Sequence, residues 1–205
     1  YRAHEDTTVT LENGLTVVVG RNNTGKTSFI EIIDKFIGNN KRNGIHATDF
    51  SAGQRRQLLD ALRCKSKKRN NNVSIPSITL TLIINYNLKD DTREDIASIA
   101  PYLTTLDTEC TTLEIECKYT PTNETYIKSI LTESTTKKSE KIEDKLLKLI
   151  EESGEYKTTY QARSTFADNT IKNTNEARIL TKEEVRAIVN TEYIYAQINL
   201  DDTST

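Results

Sequence analysis

Two glycines, a lysine and a threonine stand at fixed intervals near the start of the chain: Gly20, then four residues, then Gly25, Lys26 and Thr27. The segment Gly20-Arg21-Asn22-Asn23-Thr24-Gly25-Lys26-Thr27 fits G-x-x-x-x-G-K-[ST], and each residue type has a mechanical use at its place. Backbone N–H groups from Asn22 to Lys26 can converge on a β-phosphate, an anion nest at the start of a helix. Gly20 and Gly25 permit backbone angles and close approach that a Cβ would obstruct. Lys26 can reach β- and γ-phosphates as a point charge, and the Thr27 hydroxyl can ligate Mg²⁺. The expected ligands are ATP and Mg²⁺.

Such a cradle is expected between a strand and a helix. Leu15-Thr16-Val17-Val18-Val19 is a β-branched run of the kind found in a buried strand. A shorter strand is expected over Thr7 to Leu11, with a turn at Glu12-Asn13-Gly14. Past the loop, Phe29, Ile32, Ile33, Phe36 and Ile37 recur at helical spacing, and Gly38 is a plausible stop. A chance match in a glycine-bearing turn would have neither flank.

Further along, 39–54 reads as polar loop, followed by a short helix over Arg55 to Arg63 and a basic, asparagine-rich run to Asn72. Pro76 precedes a strand at Ile78 to Tyr86. Thr92 and Asp95 fit a cap for a helix carrying Ile96 and Ile99, ending before Pro101. Thr112 to Tyr119 alternates Leu113, Ile115 and Cys117 against Glu114, Glu116 and Lys118, a half-buried strand with one wet face. Ile142, Leu146, Leu149 and Ile150 form a helical stripe, and Tyr156 to Ala162 reads as a strand. Thr181-Lys182-Glu183-Glu184 fits a capping box for a helix bearing Val185, Ile188 and Val189, and Tyr193 to Ala196 reads as a last strand. The fold class expected is α/β, largely antiparallel between about 75 and 120.

Composition narrows the function. A formal charge of −2 gives no overall attraction to nucleic acid or anionic membrane. No stretch approaches the roughly 18 apolar residues that span a bilayer, and the first residues lack the charged-then-apolar layout of a secretory signal. Cys64, Cys110 and Cys117 have no metal-ligand spacing, and their odd number argues against a disulfide framework, which points to a reduced, cytoplasmic setting. His4 and His46 are too few and too scattered for a zinc site. The chain lacks methionine altogether and opens on what reads as a strand end, so residues are expected to precede it.

The lead-in Tyr1-Arg2-Ala3-His4-Glu5-Asp6-Thr7-Thr8-Val9, then Asn13-Gly14-Leu15, then Gly20 through Ser28, resembles the start of an ATPase of the SMC and RecF kind. The second asparagine, Asn23, is closer to the OLD-like (AAA-15) ATPases than to SMC proteins. Asp49-Phe50-Ser51, Pro76 with its strand, Asp90-Asp91 and Tyr119-Thr120-Pro121 resemble that group's antiparallel insertion. Tyr193-Ile194-Tyr195-Ala196-Gln197 resembles its strand into the Q-loop, with Ile198 where many relatives carry arginine. The resemblance implies that 1–205 is the N-terminal portion of an ABC-type P-loop ATPase head. Such heads form homo-oligomers, closing ATP between a P-loop and a partner's signature motif. It also implies a Mg²⁺ ligand at Gln197, alongside Thr27, and a lead-in whose Arg2 and His4 approach the nucleotide. Otherwise Gln197 is a polar strand end, and Arg2 and His4 are surface residues on an edge.

The rest of the machinery is not legible. Ser51-Ala52-Gly53-Gln54 echoes the signature S-G-G-Q but lies too near the P-loop, and a loop-to-helix turn is the better account. Ile198-Asn199-Leu200-Asp201-Asp202 is a poor Walker B strand because of Asn199. No catalytic residue can be assigned, and residues 1–205 alone are expected to bind nucleotide with little turnover. Arg55, Arg56, Arg63, Lys65, Lys67, Lys68 and Arg69 could track DNA, but no aromatic residue interleaves, and a solvated loop is the plainer account. Three functions follow from the resemblance. One is the ATPase module of an OLD-like DNA-processing or antiphage defence protein, with a nuclease or toxin as effector. The second is an ATP-sensing scaffold that holds a separate toxic effector. The third is an SMC- or RecF-like repair ATPase.

Overall fold

Among the described residues, four strands pair side by side in the order in which they occur, all antiparallel. The computed structural model describes residues 1–2, 4, 6–12, 14–19, 21, 25–38, 44–63, 75–87, 91–105, 107–123, 150–151, 154–166 and 177–191, without the side chains of 58–63, 93 and 95. The elements are α1 (Lys26–Ile37), a 3-10 turn (Ala47–Asp49), α2 (Ala52–Arg63), β1 (Ile78–Asn85) and α3 (Arg93–Ile99). A second 3-10 turn (Ala100–Tyr102), β2 (Cys110–Pro121), β3 (Tyr156–Phe166), β4 (Arg178–Leu180) and α4 (Lys182–Ile188) complete the order. It is a mixed α/β fold on a four-stranded sheet.

The register sorts side chains by face, because successive residues of a strand point opposite ways. Ile78, Leu80, Leu82 and Ile84 of β1 stand opposite Tyr119, Cys117, Ile115 and Leu113 of β2. Ala162 and Ser164 of β3 continue the same face. Leu113, Ile115, Cys117 and Ala162 are wholly buried there, together with Phe36 and Ile37 of α1 and Val185 of α4. Glu114, Glu116 and Lys118 take the other face, half-buried, and Gln161 of β3 donates to Glu116. The alternation read from Thr112 to Tyr119 is therefore the alternation of the sheet.

Three tyrosines bind the layers together, their rings in the core and their hydroxyls on backbone carbonyls. Tyr160 donates to Phe36 O at 2.8 Å, Tyr156 to Pro76 O at 3.1 Å and Tyr119 to Ile150 O at 3.0 Å. Phe50 lies against two of these rings, 5.9 Å from Tyr156 edge-on and 6.4 Å from Tyr119. Burying a phenol is favourable when its O–H finds a partner, and each of these does.

Two expectations fail. Thr7 to Leu11 and Leu15 to Val19 carry no strand pairing, and Leu15, Val17 and Val19 are 82%, 68% and 84% exposed. A β-branched run favours pairing only where a ladder is offered. Among the described residues, the sheet consists of β1 to β4 and offers this run no place. Residues 44–54 are also more ordered than the polar loop expected there, since they hold a 3-10 turn and the first turn of α2. The helical stripe at 142–149 and the strand at 193–196 lie outside the described residues, as do 65–72.

Candidate functional site

Helix α1 begins on Gly25, which sits at φ +93, in the left-handed region that glycine enters without strain. Its first turn bears no acidic residue, no side chain among the described residues caps it, and Lys35 stands in the last turn. A helix start of this kind, with positive partial charge and N–H groups left by the missing preceding turn, suits an anion. Lys26 and Thr27 open the helix, Thr27 on its exposed side. The Lys26 ammonium folds back to donate to the carbonyl of Arg21, so lysine and loop already touch. Ser28 follows half-buried in the first turn. Gly20, Asn22, Asn23 and Thr24 lie outside the described residues.

The lead-in meets α1 through charge. Arg2 adopts φ +46, uncommon for a residue with a side chain, and its guanidinium holds Glu31 of α1 and Asp49 of the 3-10 turn. Its backbone N–H also donates to Asp49 O at 2.8 Å. Asp49 is buried and accepts from both sides: Oδ2 takes Lys35 Nζ at 2.8 Å and the His46 N–H at 2.9 Å, and Oδ1 takes Arg2 Nε at 3.1 Å. Burial pushes its carboxyl up, but the Lys35 and His46 hydrogen bonds and the two cations outweigh that. The net effect holds it below the ordinary carboxylate range. Arg2 is thus spent on the scaffold under the helix rather than standing free on an edge.

His4 goes to the loop itself. Its Nε2 lies 2.9 Å from the carbonyl oxygen of Gly25, and its Nδ1 3.3 Å from Thr7 Oγ1. The ring packs so closely on Gly25 that a Cβ there would fall 2.5 Å from Nε2. Glycine at 25 therefore answers two demands, one of backbone angle and one of space. Nothing local in the sequence signals this contact across 21 residues, or that between Arg2 and Asp49.

Ser51-Ala52-Gly53-Gln54 is a capping box. Gln54 N–H donates to Ser51 Oγ and Ser51 N–H to Gln54 Oε1, both at 3.2 Å, at the start of α2. Its serine and glutamine are occupied by the helix start they cap. Of the basic run, Arg55 is half-buried with Nε lacking a partner among the described residues, and Arg56 is exposed. The side chain of Arg63, and Lys65, Lys67, Lys68 and Arg69, lie outside the description. So do Gln197 and the segment Ile198 to Asp202.

No helix among the described residues is long and apolar enough to cross a membrane. The family model described as an AAA ATPase domain (AAA_15) matches residues 1–203, nearly the whole chain. Searches of curated proteins and of solved structures give no match.

Proposed function

This chain belongs to the AAA ATPase domain family AAA_15, and on that premise we propose that residues 20–28 bind Mg-ATP. Membership implies ATP binding and hydrolysis in general terms. The observation that carries the assignment to these residues is the start of α1 itself, with Gly25 left-handed and Lys26 and Thr27 in its first turn. Backbone N–H groups of the loop would hold the phosphates, Lys26 would neutralise their charge, and Thr27 would ligate Mg²⁺, with Gln197 as a second metal ligand. The bound triphosphate supplies the phosphoryl group, and the chain binds and orients it.

The proposal extends to the whole protein. The chain is the N-terminal portion of an ABC-type head that forms homo-oligomers. ATP controls its assembly and the action of a nuclease or toxin effector, in DNA processing or antiphage defence. What supports this is the layout of the lead-in and the second loop asparagine, Asn23. Calorimetry with Mg-ATP on wild type and Lys26→Ala tests the core of it. Wild type binds, and the variant keeps its circular dichroism spectrum but shows no heat of binding. Undiminished affinity in a folded Lys26→Ala protein would refute the phosphate-loop assignment. ATP-dependent assembly and DNA cleavage by the protein that carries this domain test the wider role.

A further inference from the structure

The carbonyl of Gly25 accepts two hydrogen bonds. One is helical, from the Phe29 N–H at 3.0 Å, and the other comes from His4 at 2.9 Å. A carbonyl oxygen only accepts, so the hydrogen bond to Gly25 is donated by a proton on His4 Nε2, while Nδ1 lies 3.3 Å from the Thr7 hydroxyl. The peptide joining Gly25 to Lys26 is trans and planar, so fixing its C=O fixes the N–H of Lys26 on the opposite edge of the same plane. That N–H is one of the donors an anion nest at this helix start would use. That plane turns about ψ of Gly25, and a residue with no Cβ leaves that rotation less restrained than any other would.

The imidazole is well anchored for the task. The His4 N–H bonds Tyr1 O at 2.8 Å, and between them Arg2 is clamped to Glu31 and Asp49. The ring lies flush on Gly25, where a Cβ would also fall 2.8 Å from its Cε1. We infer that His4 is a positioning residue of the phosphate loop, holding the Gly25–Lys26 peptide plane in the orientation that presents the Lys26 N–H to a nucleotide phosphate. It need not touch the nucleotide. The inference rests on Mg-ATP binding at residues 20–28, and it adds the residue that pre-organises that site.

The test compares three substitutions in the full chain by calorimetry with Mg-ATP, alongside melting with and without nucleotide. His4→Leu keeps bulk and loses the donor, His4→Ala loses both, and His4→Gln keeps an N–H at similar reach. His4→Leu and His4→Ala weaken Mg-ATP binding about five- to tenfold, the worth of one hydrogen bond. His4→Gln stays within about twofold of wild type on the same scale. The rise in melting temperature produced by Mg-ATP shrinks in step for the first two and not for the third. A packing role alone predicts the reverse order, with leucine harmless and glutamine no better than alanine. Leucine binding as wild type does, or glutamine failing alongside it, overturns the inference and leaves the nucleotide site standing. Wild type that fails to bind Mg-ATP overturns both.

Discussion

Replacing Asp49 by asparagine keeps the shape of the side chain and removes the negative charge paired with Lys35. Both carboxyl oxygens receive donors, Lys35 and the His46 N–H on one, Arg2 on the other. An amide therefore turns its own N–H₂ against a donor whichever way it is flipped. Breaking one side of a buried ion pair costs about 3–5 kcal/mol. The side chains of Asp49 and Lys35 are only 1% and 9% exposed, whereas that of Arg2 is 38% exposed and screened by solvent. Discounting Arg2 leaves about 3 kcal/mol. In a chain of this size that lowers Tm by about 6–12 °C, read by circular dichroism at pH 7. A carboxyl held low in the folded state contributes its stability above the unfolded pKa and loses it as pH falls through the folded one. The deficit of Asp49→Asn is therefore full at pH 7 and narrows below about pH 4. Adding Lys35→Met to the variant recovers part of the loss by removing the stranded cation. A variant melting within about 2 °C of wild type at pH 7 would refute the buried-pair argument.

Three further outcomes follow from the packing. Phe50→Ala, which strips away the ring packed against both Tyr119 and Tyr156, costs about 3–5 kcal/mol in urea unfolding; a loss below about 1 kcal/mol would mean the ring is not held there. Thr181→Ala removes the hydroxyl that accepts the Glu184 N–H at 3.2 Å and costs about 1 kcal/mol, seen as a lower urea midpoint with unchanged slope. In a Cys64→Ser background the native protein does not react with a thiol reagent at pH 8, because Cys110 and Cys117 are buried. Burial, then the Glu116 charge, pushes the Cys117 thiol up to about 12; fast native labelling would contradict that burial.

Much of this architecture could be read from the chain because it is local. The stripe on α1, the alternation of β2, the helix stop at Gly38 and the capping box at Thr181 are each set by residues within a turn or two, and each stands where expected. Gly38 turns out of the helix with its N–H still bonded to Asp34 O at 2.8 Å, and a Cβ there would fall 2.5 Å from that carbonyl. What was not legible depends on partners far along the chain. β4 is three residues long, with Ile179 exposed and no alternation to betray it. Asp49 looks like any loop carboxylate until Arg2 and Lys35 converge on it. Leu15 to Val19 shows the converse, a strong local preference for a strand that finds no ladder among the described residues. At the phosphate loop the motif was legible, while the histidine leaning on its glycine was not.

Helix α1 is gripped at its start by His4, along its length by Arg2 on Glu31 and Asp49 on Lys35, and at its end by Tyr160 on Phe36 O. Helices ordinarily lose their amide protons to deuterium from the ends inward, because the terminal turns open with almost no cost. A helix fastened at three levels has no cheap turn from which opening can begin. Its amides, from Phe29 to Ile37, are thus placed to exchange together, through a single opening that also releases the lead-in and the sheet.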